Sequence, residues 1–252
     1  MLVSVVIPVF YEESMLPGVL ARLVDLRTRV DIEILLVVDV PDPSREDEVR
    51  SRNDALASRF QCVTLYRIGE RGFGSALRKG FENTSGEIIV PMMGDGSDAP
   101  EDIPEFVRKI EQGWDVVGGS RYMREGRIVG RSLKQEVSRA YSLASLALGG
   151  PPILDVSNAF KAYRKLVLMD IDSVSESFDI SVELTVKAFA QGYAITQIPT
   201  VWTNRAEGRS QFFFWHETSN YWRWLVYVVL ARWAPRRQKP FSSNSKESRD
   251  VS

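Results

Sequence analysis

Two near-continuous runs of Val, Ile and Leu, at residues 2–9 and 32–38, constrain this chain more than any other feature. Neither run alternates apolar with polar positions, so neither has a face suited to water. Strands of that kind are buried on both sides, as in parallel sheets covered by helices. Shorter strand patterns follow at 62–68, 87–92 and 114–118. Helical patterns lie between them, at 14–30, 46–60, 74–83 and 104–112. This order predicts an open α/β sheet. Ligands of such sheets bind beyond the carboxyl ends of the strands. The segments that follow the strands are therefore the first candidates for function: 11–12, 39, 69–74 and 94–98.

The second half is less regular. A helical pattern over 133–148 is broken by Gly149-Gly150-Pro151-Pro152. A strand is expected at 158–163, a helix at 179–191, a strand at 193–198 and a polar loop at 199–210. An aromatic segment spans 212–233, and the Ser- and charge-rich stretch 238–252 has the composition of a disordered tail. The expected division is an α/β domain over 1–210, an aromatic segment over 211–237 and the tail over 238–252.

Composition excludes several classes. Lys plus Arg number 32 and Asp plus Glu 33, a net charge of -1, which argues against nucleic-acid binding driven by bulk charge. A single cysteine, Cys62, rules out a disulfide scaffold and a cysteine zinc site, and its apolar context makes it a core residue. A single histidine, His216, rules out a histidine metal cluster. Chemistry must rest on carboxylates and cations. The N-terminal Met1-Leu2-Val3-Ser4 has no basic n-region, so no secretory signal is expected. The stretch 221–233 is too short to span a bilayer and holds Arg223 and Arg232. Its Trp and Tyr content, with Arg236, Arg237 and Lys239 behind it, suits a helix at a membrane surface; the alternative is packing on the domain or on a second subunit. His216 reads as an interfacial polar residue there.

Four motifs follow the strands. Pro8-Val9-Phe10-Tyr11-Glu12-Glu13 offers a carboxylate and backbone groups to a base or ribose edge. Asp39 can accept from a nucleobase imide or a ribose hydroxyl. Gly69-Glu70-Arg71-Gly72-Phe73-Gly74 precedes a helix, where backbone can approach a diphosphate. Leu77 stands where a dinucleotide fingerprint needs its third glycine, and the phosphate-loop spacing fails as well, which disfavours a nicotinamide enzyme or a P-loop ATPase. Gly94-Asp95-Gly96-Ser97-Asp98 gathers hard oxygen ligands suited to Mg²⁺ or Mn²⁺. A fifth group comprises the cations Arg121, Arg131, Lys134, Lys161, Arg164 and Arg205, which suit phosphates.

Taken in order, these segments resemble family 2 glycosyltransferases of the GT-A fold, and within them the dolichyl- or polyprenyl-phosphate mannose and glucose synthases. The resemblance runs from about residue 2 to residue 210. Gly119-Ser120-Arg121-Tyr122 matches the family's GSRY, the block from Asp155 to Arg164 its D-x-S-N-x-F-K motif, and Arg205-Ala206-Glu207-Gly208-Arg209-Ser210 its R-x-x-G-x-S loop. The resemblance implies an inverting transfer of mannose or glucose from a GDP- or UDP-sugar to a lipid phosphate. It implies nucleotide contacts from Pro8, Phe10, Glu12, Asp39, Gly72 and Gly74, and a divalent ion on Asp95, Ser97 and Asp98. Acceptor contacts fall on Arg121, Lys134 and Ser138, and Arg205 helps neutralise the leaving diphosphate. An anionic acceptor needs no general base; a sugar hydroxyl does, and Glu183 is the candidate. Alternatives are a sugar-to-sugar transferase of surface polysaccharide and a catalytically inactive scaffold. The expected setting is the cytoplasmic face of a membrane, peripheral, as a homo-oligomer or alone.

Three departures stand out. Met93 occupies the first position of the family's Asp-x-Asp, Asp39 is followed by Val40-Pro41-Asp42 instead of Asp-Gly-Ser, and the transmembrane helices of some members are absent from this sequence.

Overall fold

The computed structural model describes residues 1–10, 14–130, 133–204 and 214–231, except for the side chains of 133–134 and 214–219. In chain order the elements are β1 (Val3–Val9), α1 (Leu16–Leu26), β2 (Ile32–Val40), α2 (Glu46–Phe60), β3 (Val63–Ile68), α3 (Phe73–Glu82), β4 (Ile88–Pro91), α4 (Ile103–Glu111), β5 (Val116–Ser120), β6 (Arg127–Val129), α5 (Leu133–Ala147), β7 (Lys161–Arg164), α6 (Lys165–Asp170), α7 (Ile180–Ala190), β8 (Ile195–Pro199), β9 (Val201–Thr203) and α8 (Phe214–Ala231).

Seven strands form one sheet in the order β3-β2-β1-β4-β7-β5-β8. All pairings are parallel except those of β7, which runs against both β4 and β5. The chain leaves β5 and enters β7 at the same rim, so β7 must run back. β6 and β9 form a separate parallel pair.

β1 explains why the sequence does not alternate. Val3, Val5, Ile7 and Val9 pack with Leu16, Leu20 and Leu23 of α1 and with Phe106 and Ile110 of α4. Val6 points the other way and joins Val37, Ile89, Leu77 and Phe81 of α3, and Ile180 and Leu184 of α7. Both faces are covered, so nearly every position is apolar; the exception, Ser4, is also buried and accepts from the Gly86 amide at 2.8 Å. On α3 the contact is close enough to demand glycine: a Cβ on Gly80 would lie 2.3 Å from Val6 Cγ1 and 3.1 Å from Val37 Cγ2.

Differences from the sequence expectations are local. The strand expected at 158–163 begins only at Lys161, residues 165–170 are helical, and the loop expected at 199–210 starts with β9. Short elements of this size carry no periodic signal; they exist because the sheet supplies partners. Cys62 is half-buried against the first core cluster, and burial pushes its thiol up to about 11.

α8 packs on α7 and α5. Trp224, Leu225 and Val228 are buried, whereas Trp222, Val226, Val229 and Leu230 face outward. Tyr141 of α5 sets its ring edge-on to Tyr221, 5.4 Å between centroids, and donates from its hydroxyl to the Tyr221 carbonyl at 2.8 Å. Among the described residues no helix is long and apolar enough to cross a membrane. The remainder of the aromatic segment, the side chain of His216 and the tail over 238–252 lie outside the described residues.

Candidate active site

The carboxyl ends of β1, β2, β4 and β5 open on one rim of the sheet, and Asp39, Asp95, Ser97, Asp98 and Arg121 lie at or just beyond those ends. Asp39 is the penultimate residue of β2 and lies beside Arg67 of β3 in register. Its Oδ2 accepts from the Gly72 amide at 2.9 Å. Arg67, itself buried, reaches 3.2 Å from Asp39 Oδ1 and also donates to Gly72 O at 3.2 Å and Ser75 Oγ at 2.9 Å. That guanidinium is not aligned to donate to Oδ1, which has no hydrogen-bond partner. A buried acceptor left open at a strand end is poised for an N–H or O–H of a ligand. Burial raises the Asp39 carboxyl to about 6, against the pull of the Gly72 amide and Arg67.

Gly72 and Gly74 come together with Asp39 because nothing larger fits. Gly72 has φ +150°, and a Cβ there would meet Ser75 Oγ at 2.7 Å. A Cβ on Gly74 would meet the Ser175 carbonyl oxygen at 2.4 Å. Phe10, just beyond β1, lies under the Arg71 guanidinium, 4.6 Å from its centroid. Pro8 lies within β1, opposite Val37 of β2. Glu12 lies outside the described residues.

The loop after β4 folds on its own carboxylates. Asp95 Oδ1 accepts from the Ser97 amide at 3.0 Å, a local Asx turn completed by Gly96 at φ +74°. Asp98 Oδ2 accepts from the Met93 amide at 2.9 Å. Thr203 of β9 donates its amide to Ser97 O at 3.0 Å and ties the loop to the second half of the chain. Asp95, Ser97 and Asp98 are all buried. Burial raises the Asp98 carboxyl to about 7; Asp95 and Asp102 add to the rise, and the Met93 amide and Arg121 oppose it. A divalent cation would relieve this crowding of negative charge. Among the described residues no set of three or more acidic, His or Cys side chains forms a closed metal cage. Two carboxylates and a hydroxyl suit Mg²⁺ or Mn²⁺, which fill their remaining positions from water and substrate phosphate. So the residues present fit the ion, even with Met93 in place of an aspartate.

Arg121 directly follows β5 and is already paired. Its Nε donates to Asp155 Oδ2 at 2.7 Å, its Nη2 to Asp155 Oδ1 at 2.8 Å, and its backbone amide to Oδ2 at 3.0 Å. Nη2 also reaches Ser138 Oγ at 3.1 Å. Ser138 shares a 2.6 Å hydrogen bond with Ser157 and accepts from the Tyr122 hydroxyl at 3.1 Å. This guanidinium thus spends two donors on Asp155 and reaches Ser138, the other described residue expected at the acceptor. The structure brings Ser138 and Arg121 together as expected; the Lys134 side chain, Arg131 and Arg205 lie outside the described residues.

Glu183, the candidate base, is engaged as well. It is fully buried on α7. Oε1 accepts from the Val174 amide at 2.8 Å and Lys187 Nζ at 2.7 Å, and Oε2 from Ser173 Oγ at 2.9 Å and the Ser175 amide at 2.8 Å. Burial works to raise this carboxyl, but the Lys187 ammonium and the two amides outweigh it and hold the group below the ordinary carboxylate range. With every lone pair engaged, it is neither a solvated helix acid nor a base with a free oxygen. Lys161 and Arg164 are likewise internal: Lys161 donates to Val156 O at 3.0 Å and to Asn158 O, Arg164 to Trp114 O at 3.1 Å.

Sequence reasoning assigned no role to Arg67, Asp155 or Ser157. Asp155 stood in a noted motif, and its pairing with the GSRY arginine was the one signal available.

A family model for glycosyl transferase family 2 matches residues 4–172, about two thirds of the chain. The chain belongs to glycosyl transferase family 2. Among curated family members it is 28% identical over 214 residues to a dolichol-phosphate mannosyltransferase of Pyrococcus furiosus, covering 84% of this chain. The chain spans only 59% of that relative's length. It is 29% identical over 217 residues to a polyprenol monophosphomannose synthase of Mycolicibacterium smegmatis, covering 82% of this chain and 79% of the relative. Among solved structures it is similar to a mycobacterial protein (TM-score 0.65, 18% identity, 91% of this chain and 74% of that one). It is also similar to glucosyl-3-phosphoglycerate synthase of Mycobacterium tuberculosis, solved with Mn²⁺, UDP and phosphoglyceric acid (TM-score 0.64, 18% identity, 91% and 78%). The last two show the shared GT-A fold of this family member.

Proposed function

We propose that this glycosyltransferase moves a hexose, mannose or glucose, from a GDP- or UDP-sugar to a polyprenyl phosphate, with inversion. The observation that carries this reading is the meeting, on one rim, of an open acceptor on Asp39, the carboxylate pair Asp95 and Asp98, and the Arg121–Ser138 network. The named activities of the two curated relatives support the lipid-phosphate acceptor.

The residues divide the work. Asp39 Oδ1 accepts from the base, and the Gly72–Gly74 backbone leaves room for the nucleotide. Phe10 and Arg71 form a flat wall beside it. Asp95, Asp98 and Ser97 hold Mg²⁺ or Mn²⁺, which when bound offsets charge on the departing diphosphate. Arg205, which follows β9 in sequence, assists. Ser138 and Lys134, with Arg121 behind Ser138, orient the acceptor. A lipid phosphate is an anion at neutral pH and attacks without losing a proton to the protein. The engagement of every Glu183 oxygen favours this acceptor over a sugar hydroxyl, which needs a base. The outward apolar face of α8, followed in sequence by Arg232, Arg236, Arg237 and Lys239, suits attachment to the inner face of an anionic membrane.

The decisive experiment screens GDP-mannose and UDP-glucose, each radiolabelled, with a short polyprenyl phosphate and Mn²⁺. Label that partitions into organic solvent is the expected result. Transfer only to soluble glycan would replace the lipid acceptor with a sugar hydroxyl. Absence of any calorimetric binding of GDP or UDP with Mn²⁺ would leave an inactive scaffold.

A further inference from the structure

We propose that Asp179 is a positioning residue that couples the aromatic helix α8 to the glycine loop beside Asp39. The path is continuous in hydrogen bonds and close contacts. At its outer end, Trp224 Nε1 donates to Asp179 Oδ2 at 2.8 Å and Arg223 Nη2 to the same oxygen at 2.7 Å. Arg223 also donates to Ser175 Oγ at 2.8 Å, and Ser175 Oγ to Asp179 Oδ2 at 2.7 Å. One buried carboxylate oxygen thus gathers two side chains of α8 and one of the segment before α7.

That segment lies on the glycine loop. Gly74 donates its amide to Glu176 O at 2.8 Å, and Arg78 of α3 donates to Ser175 O. Phe73 stacks on Phe178 at 4.6 Å between centroids. The backbones are so close that a Cβ on Gly74 would lie 2.4 Å from Ser175 O, and one on Gly72 3.0 Å from Glu176 O. At the inner end, Gly72 donates to Asp39 Oδ2. Glu183 clamps residues 173–175 from behind, so a shift at Ser175 cannot be absorbed by slack in its own segment.

Asp179 carries more than an anchor for α8 requires. Its second oxygen, Oδ1, is buried with no hydrogen-bond partner. The donors on Oδ2 come from two places, Trp224 and Arg223 on α8 and Ser175 on the segment before α7, so this one carboxyl group joins the two. Seating of α8 therefore sets where Ser175 and Glu176 lie, and they set the loop that presents Gly72 to Asp39. Coupling of this kind is reciprocal: nucleotide binding would tighten α8 as α8 tightens the nucleotide site. The link to nucleotide rests on the function proposed above; the mechanical link does not.

The test uses the full chain with Asp179→Asn and, in case that variant fails to fold, Trp224→Phe, which removes only the Nε1 donor from a retained aromatic ring. Trp222→Ala, on the outward face of the same helix, is the control. Amide hydrogen exchange of residues 69–76 should speed up by roughly fivefold or more in both variants and stay unchanged in the control. GDP or UDP with Mn²⁺ should bind the variants more weakly by a similar factor. Faster exchange over 173–179 and 220–231 with no change over 69–76 would overturn the proposal and leave Asp179 as an anchor for α8. Faster exchange over 69–76 in a protein whose wild type binds neither nucleotide would retain the coupling and discard the nucleotide reading of the loop.

Discussion

Burial decides the chemistry of the two aspartates that matter most. The Asp39 carboxyl stands at about 6, so its charge, and with it a full-strength acceptor for a base, is lost as pH falls through that value. Donor affinity should drop on acidification from pH 7 to 5, and Asp39→Asn should bind weakly with no pH dependence, as followed by calorimetry. For folding the sign is opposite: a raised acid favours the native state at low pH, and that contribution fades between about 4 and 6 as pH rises. Asp98, at about 7, must lose its proton to hold a cation. Mn²⁺ affinity should therefore climb through pH 7, and Asp98→Asn should flatten the climb. Asp95→Ala should abolish metal-dependent transfer; near-normal turnover would remove the metal from the proposed mechanism. Asp39, Asp95 and Asp98 stood out in sequence because each lies at or within a few residues of the end of an apolar strand. Arg67 and Asp155 were not, since each works on a partner far away in sequence and only the sheet register or a returning loop reveals it.

Glycine marks the points where one element leans on another. Gly80→Ala would drive a methyl into Val6 and Val37, β-branched side chains too stiff to swing aside and with no empty space behind the contact. The expected cost is about 1–3 kcal/mol, seen as a lower urea midpoint at unchanged slope. The element least settled by composition was the aromatic helix, for which membrane contact and internal packing were both open readings. α8 has two distinct faces: Trp224, Leu225 and Val228 pack inward, and Trp222, Val226, Val229 and Leu230 face out. Its aromatic content was visible in sequence, but which ring faces which way depends on α5 and α7, which no local pattern encodes. Replacing Trp222 and Leu230 together by Ala should weaken sedimentation with anionic vesicles while leaving thermal stability within about 0.5 kcal/mol, as expected for exposed positions.

Across the whole molecule the α/β order was readable because the buried strands are uniformly apolar and the helices between them are long. In the second half the pattern found α5, α7, β8 and a shorter β7, and missed α6, the three-residue strands β6 and β9, and the backward run of β7 between β4 and β5. That reversal has a structural support in Lys161, fully buried on β7, whose ammonium donates to the carbonyls of Val156 and Asn158. Lys161→Met should strand those acceptors and cost about 1–3 kcal/mol in chemical denaturation. The same reversal brings the chain to the working rim in two instalments: residues up to 98 arrive through parallel crossovers, and residues 121–160 leave from β5 and return on β7 without crossing the sheet. If the function proposed above holds, a graft that exchanges the second instalment for that of another family member should alter what receives the sugar while the first half keeps its own strands, glycines and carboxylates.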